Sequence, residues 1–266
     1  MKVAAVQFAS GPDPEENRTR AIYLLRSAAD AGTELVVLPE AAMYPFDRPR
    51  PELARAAEAL DGPFVSALVK AADELGVTAI AGMFEKVPDS QRVHNTVVAV
   101  GAGGLLGRYR KLHLYDALGK KESDDLVPGE IDGRELLVLP IGEFVVGVVT
   151  CYDLRFPEIF RALVDKGATC FAVPAAWVAG PFKHEHWITM CRARAIENTA
   201  YLIAAAQPPP KYCGHSLVLD PMGVELACLG DGDGVATAEI TSDRLGSVRE
   251  ALPVLVQRRY EVHPKS

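Results

Sequence analysis

The sequence predicts an α/β protein, and three observations carry that prediction. Short apolar runs of strand length alternate with segments of helical period along most of its 266 residues. Two runs, Leu35-Val36-Val37-Leu38 and Val145-Val146-Gly147-Val148-Val149, lack polar alternation, as strands buried on both faces do. An internal echo aligns Gly32-Thr33-Glu34-Leu35-Val36-Val37-Leu38-Pro39-Glu40 with Gly167-Ala168-Thr169-Cys170-Phe171-Ala172-Val173-Pro174-Ala175, each a helix stop, a strand and a proline. The echo hints at two similar α/β halves facing each other, with Glu40 answered by Ala175. No linker-like composition divides the halves, so one domain over 1–266 is expected.

The elements follow in order. Residues 3–8 form a first strand. Asp13 suits a helix N-cap, Pro14 the first helical position and Glu16 the capping-box position. The helix they open keeps apolar spacing through Ile22, Leu25 and Ala29 until Gly32 stops it. The strand at Leu35–Leu38, a helix around 63–75 and a strand at 77–81 come next. Residues 96–110 alternate about the Gly101–Gly104 turn and read as a hairpin. From Tyr115 to Gly133 the chain is polar and carries Gly119, Pro128 and Gly129, a long loop of the kind that tends to be functional. Strands at 136–139 and 144–149 precede a helix from about Pro157 to Asp165. Beyond lie a strand at 170–173, a helix across 186–199 and a strand at 201–205. Two or three antiparallel strands fall between 214 and 239, then a short helix near 242–250, and residues from about 253 read as a C-terminal arm.

Bulk chemistry narrows the function. Lys and Arg number 28 against 35 Asp and Glu, a net charge of −7. An acidic chain without a long basic run is a poor partner for nucleic acid or an anionic membrane surface. No apolar run is long enough to span a bilayer, and the N-terminus lacks a signal-peptide apolar region. The five cysteines (151, 170, 191, 213 and 228) have no paired spacing, which points to reduced thiols in the cytoplasm.

Three positions can carry chemistry. Cys151 follows the buried run and precedes a helix start, at a sheet's carboxyl edge, where open α/β sheets bind ligands. A helix N-terminus beside it would favour thiolate, although an inert core cysteine is the commoner fate. None of the six histidines stands in a triad-like context, and Val149 and Asp153 do not complete a nucleophile elbow. Glu40 closes a buried strand, half-desolvated, a setting that suits a general base and equally fits a surface glutamate. Lys111 ends the second hairpin strand and could hold an oxyanion or stand in solvent.

The segments around these positions resemble the nitrilase (carbon–nitrogen hydrolase) superfamily. The motifs are Leu38-Pro39-Glu40, Tyr109-Arg110-Lys111-Leu112-His113-Leu114 and Cys151-Tyr152-Asp153-Leu154-Arg155-Phe156-Pro157-Glu158, in that superfamily's order and spacing. Support comes from His94-Asn95-Thr96, from Arg192 to Asn198, and from Gly214 to Pro221. The resemblance implies a four-layer α-β-β-α sandwich and a Glu-Lys-Cys catalytic set: Glu40 as base, Lys111 as oxyanion partner, Cys151 as nucleophile. It also implies that Glu122, in the long loop, borders the centre. The chemistry would run through a thioester on Cys151, with the Tyr152 backbone N–H assisting Lys111, and needs neither metal nor other cofactor. His184-Glu185-His186 lacks the spacing of a helical zinc pair.

Nitrile-hydrolysing members carry Trp-Glu after the cysteine, where this chain has Tyr152-Asp153. The phrase from Cys151 to Glu158 most resembles the omega-amidase and deaminated glutathione amidase branch, whose small amide substrates bear carboxylates. Arg155, Lys183, His184 and His186 are then candidate anion partners, and Tyr152 and Trp177 candidate pocket walls. Arg155 could instead be a structural ion-pair partner of Asp153 or Glu158. The alternatives are an N-carbamoyl amino acid hydrolase, a nitrilase, an acyltransferase or a non-catalytic binding protein of the same fold. Family resemblance also implies a homodimer or higher homo-oligomer. Met222 stands where relatives carry Trp.

Overall fold

Alternation along each strand assigns side chains to two different cores. In β1 (Lys2–Gln7), Val3 and Ala5 join one buried cluster while Ala4 and Val6 join another. The same split separates Leu35 and Val37 from Val36 in β2 (Leu35–Val37), and Val97 and Ala99 from Val98 and Val100 in β4 (Val93–Gly101). Strands with two apolar faces must be covered on both sides, which dictates a layered architecture.

The computed structural model describes residues 1–265. With β3 (Thr78–Lys86), β5 (Gly104–Arg110) and β12 (Gly234–Glu239), these strands form a six-stranded sheet in the order β12-β1-β2-β3-β4-β5. The second sheet has the order β11-β10-β9-β8-β7-β6, from β6 (Leu137–Ile141), β7 (Phe144–Val148), β8 (Cys170–Ala175), β9 (Tyr201–Ala206), β10 (Leu217–Leu219) and β11 (Glu225–Cys228). Each sheet has three parallel strands at its centre and antiparallel strands outside. Helices α1 (Pro14–Asp30) and α3 (Pro63–Leu75) cover the outer face of the first sheet. Helices α4 (Pro157–Asp165) and α5 (Lys183–Asn198) cover the second, and the inner faces of both sheets share one core. The four-layer sandwich implied by the resemblance is therefore the fold. No helix among the described residues is long and apolar enough to cross a membrane.

The internal echo has a structural counterpart. Gly32 and Gly167 both take left-handed φ (79° and 97°), and β2 and β8 are the middle strands of the two parallel trios. Asp13 caps α1 by accepting from the backbone N–H of Glu15 (2.8 Å) and Glu16 (3.4 Å); no reciprocal bond from Glu16 completes a box among the described residues.

Four expectations need adjustment. Helix α2 (Arg50–Ala56) is additional to the expected elements, and Pro49 and Pro51 flank its first residue, where proline is tolerated. Helix α5 begins three residues earlier, at Lys183, after Phe182 in left-handed conformation. The last of the C-terminal strands, β12, leaves its neighbours and pairs antiparallel with β1 in the other sheet. After α6 (Ser242–Ala251) the arm begins with a helical turn, α7 (Val254–Gln257).

Candidate active site

Glu40, Lys111 and Cys151 arrive at one point from three elements: the end of β2, the end of β5 and the turn after β7. Gly82 of β3 permits the first of these. A Cβ there would lie 2.5 Å from the Glu40 Cα and 2.7 Å from the Ala41 nitrogen, so only glycine lets the two backbones pass. Ala41 takes φ 55° and turns the chain away, and Gln207 Nε2 donates to the Glu40 carbonyl (2.8 Å).

The Glu40 side chain is 1% exposed and fully engaged. Its Oε1 accepts from Asn95 Nδ2 (2.7 Å) and Lys111 Nζ (3.1 Å), and its Oε2 accepts from the Ala176 backbone N–H (2.7 Å). Ala176 follows the end of β8, so the two echoed strands converge on one carboxylate. Lys111, also 1% exposed, reaches from Glu40 to Glu122, whose Oε2 lies 2.9 Å from Nζ. A short 3-10 helix (Glu122–Asp124) presents Glu122, and the Tyr115 N–H donates to Oε2 (2.8 Å). Burial works against the Lys111 charge, but Glu122 and then Glu40 outweigh it and hold the ammonium well above its ordinary pKa. Burial raises the Glu122 carboxyl, with Lys111 pulling it down and Glu40 pushing it up.

Cys151 opens a 3-10 helix (Cys151–Arg155) with φ 46°, a left-handed conformation that costs a non-glycine residue about 1–3 kcal/mol. The elbow absent from the sequence pattern is thus present in the backbone. Asp153 pins it: Oδ2 accepts from the Thr150 N–H (3.0 Å) and the Tyr109 hydroxyl (2.7 Å), and Oδ1 lies 2.7 Å from His113 Nδ1. Arg194 of α5 donates twice to the Leu154 carbonyl (2.9 and 2.6 Å) and braces the same turn from outside. Burial, then the Glu40 carboxylate, pushes the Cys151 thiol well above its usual range, with Lys111 only partly opposing them. The expectation of a resting thiolate is corrected: the adjacent helix is five residues long and the nearest carboxylate disfavours a second negative charge.

Cys151 and Glu122 face a cavity of about 260 Å³ whose wall includes Tyr115, Tyr152, Trp177 and Lys183. Glu40 and Lys111 lie just behind that surface. Trp177 Nε1 donates to the Lys183 carbonyl (2.8 Å). Of the residues suggested for substrate contact, Tyr152, Trp177 and Lys183 line the cavity, and Arg155, His184 and His186 do not. His184 is exposed and stacks near His215, with ring centroids 4.2 Å apart. His186 is exposed, with Nδ1 3.3 Å from Arg155 Nη2. The guanidinium of Arg155 rests 5.0 Å from the Trp177 ring, and among the described residues it pairs with neither Asp153 nor Glu158. The Asp153 oxygens are already occupied by Tyr109, Thr150 and His113.

Sequence reasoning did not single out Asp153, His113, Tyr109, Asn95 or Gly82 as parts of the site. Asp153 and His113 each sit two residues from a nominated residue, a signal that was present. Gly82 could not be found that way, because its role depends on the close approach of β2 and β3.

The carbon–nitrogen hydrolase family model matches residues 2–250. A deaminated glutathione amidase of Escherichia coli O157:H7 is 38% identical over 263 residues, covering 98% of this chain and 98% of that protein. An omega-amidase, NIT2, of Xenopus tropicalis is 33% identical over 277 residues, with 99% and 96% covered. The crystal structure of Saccharomyces cerevisiae Nit3, a member of branch 10 of the nitrilase superfamily, superposes with a TM-score of 0.85 at 29% identity, covering 98% of this chain and 97% of that one.

Proposed function

We propose that this chain, which belongs to the carbon–nitrogen hydrolase family, hydrolyses the amide bond of a small carboxylate-bearing substrate through a thioester on Cys151. The observation that carries the reading is Cys151 in its strained turn at the cavity surface, with Glu40 and Lys111 directly behind it and Glu122 on the same cavity wall.

Glu40 takes the thiol proton as sulfur attacks the amide carbon, which avoids a standing thiolate beside a carboxylate. The carbonyl oxygen gains the negative charge and meets the Lys111 ammonium and the Tyr152 N–H. Collapse breaks the C–N bond, and Glu40 delivers its proton to the departing nitrogen. A primary amide releases ammonia and a secondary amide releases an amine. Water then loses a proton to Glu40, attacks the thioester, and frees the acid as the proton returns to sulfur. Glu122 keeps Lys111 charged and aimed throughout. The similarity to proteins named deaminated glutathione amidase and omega-amidase favours deaminated glutathione or an α-keto-acid omega-amide as substrate.

The test is a substrate panel of α-ketoglutaramate, deaminated glutathione, N-carbamoyl amino acids and simple nitriles, followed by product release. Turnover of one of the first two, reduced at least about 10⁴-fold by Cys151→Ala, is expected. Full activity in that variant would end the assignment, and preference for a nitrile or carbamoyl substrate would move the protein to another branch. Four buried cysteines without disulfides suit a reducing cytoplasm. Exposed Val256 and Tyr260 in the C-terminal arm suit burial in a homo-oligomer, which light scattering would reveal.

A further inference from the structure

Two lysines are buried among the described residues, and their surroundings are opposite. Lys111 lies between two carboxylates. Lys183, 6% exposed on the cavity wall, has no carboxylate within ion-pair distance among the described residues. Its ammonium sits 4.8 Å from the Trp177 ring centroid and 5.0 Å from that of Tyr115, and its single hydrogen bond, to the Tyr115 hydroxyl, is long at 3.4 Å. The two rings stabilise the charge through their faces but accept little of its hydrogen-bonding capacity. Burying an ammonium without a counter-ion is unfavourable and the two rings offset only part of that cost, so an anion entering the cavity meets a cation that lacks a partner.

We infer that Lys183, framed by Trp177 and Tyr115, receives a carboxylate at the far end of the substrate and thereby sets specificity for anionic amides. The inference rests on the amidase reading and adds the residue that selects the substrate. Other cations around the cavity are less suited. Lys211 is bonded to Asp47, Lys121 lies 3.1 Å from Asp124, and Lys120 is exposed, where water screens it. Arg155 does not line the cavity, and its guanidinium is packed 5.0 Å from the Trp177 ring and 6.0 Å from that of Tyr152. The carboxylates of Glu40 and Glu122 repel an anion from the Cys151 end, so a substrate with one amide and one carboxylate is oriented from both sides. The wall is also built to stay in place. The Trp177 indole holds the Lys183 backbone, and the Cys213 N–H holds the Trp177 carbonyl (2.9 Å). Lys183 is the first residue of α5, whose N-terminal end adds positive potential.

The experiment compares α-ketoglutaramate with pentanamide, an uncharged analogue of the same chain length, in the wild type, Lys183→Met and Lys183→Arg. Lys183→Met is expected to lower kcat/KM for the keto-acid amide at least about 30-fold more than for pentanamide, chiefly through KM. Lys183→Arg restores part of the difference. In the Cys151→Ala background, calorimetry with α-ketoglutaramate should show the same loss of affinity on Lys183→Met, independently of turnover. Equal losses for both amides, or unchanged binding in the Cys151→Ala background, would overturn the inference. If the wild type binds the keto-acid amide through Lys183 without hydrolysing it, the amidase reading fails while this one stands.

Discussion

Lys111 and Lys183 are both buried to better than nine-tenths within one site, yet the first is paired with two carboxylates and the second, among the described residues, with none. Burial and charge differ little between them; what differs is whether the protein supplies the counter-ion. At the deep end, Glu40, Lys111 and Glu122 satisfy one another before any ligand arrives, so the proposed reaction would meet preorganised electrostatics. On the wall, Lys183 leaves its capacity open. Closed electrostatics suit a step common to many substrates, and open electrostatics suit the choice among them.

The same substitution at the two lysines breaks the comparison most sharply. Lys111→Met strands the buried Glu40 and the half-buried Glu122 carboxylates and should cost about 3–5 kcal/mol in urea unfolding. Lys183→Met strands nothing, and stability should be unchanged or raised by up to about 1 kcal/mol. Equal destabilisation of both variants would erase the distinction. A smaller effect is expected from Gly82→Ala, which pushes a Cβ into the Glu40 backbone. It should cost about 1–3 kcal/mol by overpacking and, through displacement of the carboxylate, about tenfold to a hundredfold in kcat. Native-like activity in that variant would mean the approach of β2 and β3 has slack.

The smallest effect is in pH dependence. Burial, then repulsion from Arg155, lowers the Lys183 pKa, so the unfolded chain holds this proton more tightly than the folded one. The wild type therefore carries a handicap that is full below the folded pKa and fades as pH rises toward the unfolded value near about 10.4. The stability advantage of Lys183→Met should shrink across that range. A constant advantage would contradict the assigned environment.

At the deep end, Glu40 closes an apolar run and Cys151 precedes a helix start, at the carboxyl edge of a sheet where chemistry collects, but the resemblance of the surrounding motifs was needed to join them with Lys111 and Glu122. The wall was far less readable. Arg155, His184 and His186 have the right charge, but side-chain direction at the start of α5 depends on Phe182 taking a left-handed φ, and no local pattern announces that. Lys183 was named beside Arg155, His184 and His186 with nothing in the sequence to favour it, and its burial without an ion-pair partner among the described residues sets it apart. The long loop was legible as irregular, and Glu122 was placed near the centre by the resemblance and not by any local pattern. Likewise β12 looked like one more antiparallel strand, and its crossing to β1 depends on register with a strand more than two hundred residues away.

The central claim is that Cys151 carries the acyl group while Glu40 manages its proton. Rapid acid quench of the enzyme during turnover of α-ketoglutaramate, followed by peptide mass spectrometry, tests it most directly. The account predicts a mass increase equal to the acyl portion on the peptide containing Cys151, and its loss in Cys151→Ala and in Glu40→Gln. Steady turnover with no adduct on Cys151, or an adduct that forms at the normal rate without the Glu40 carboxylate, would contradict it.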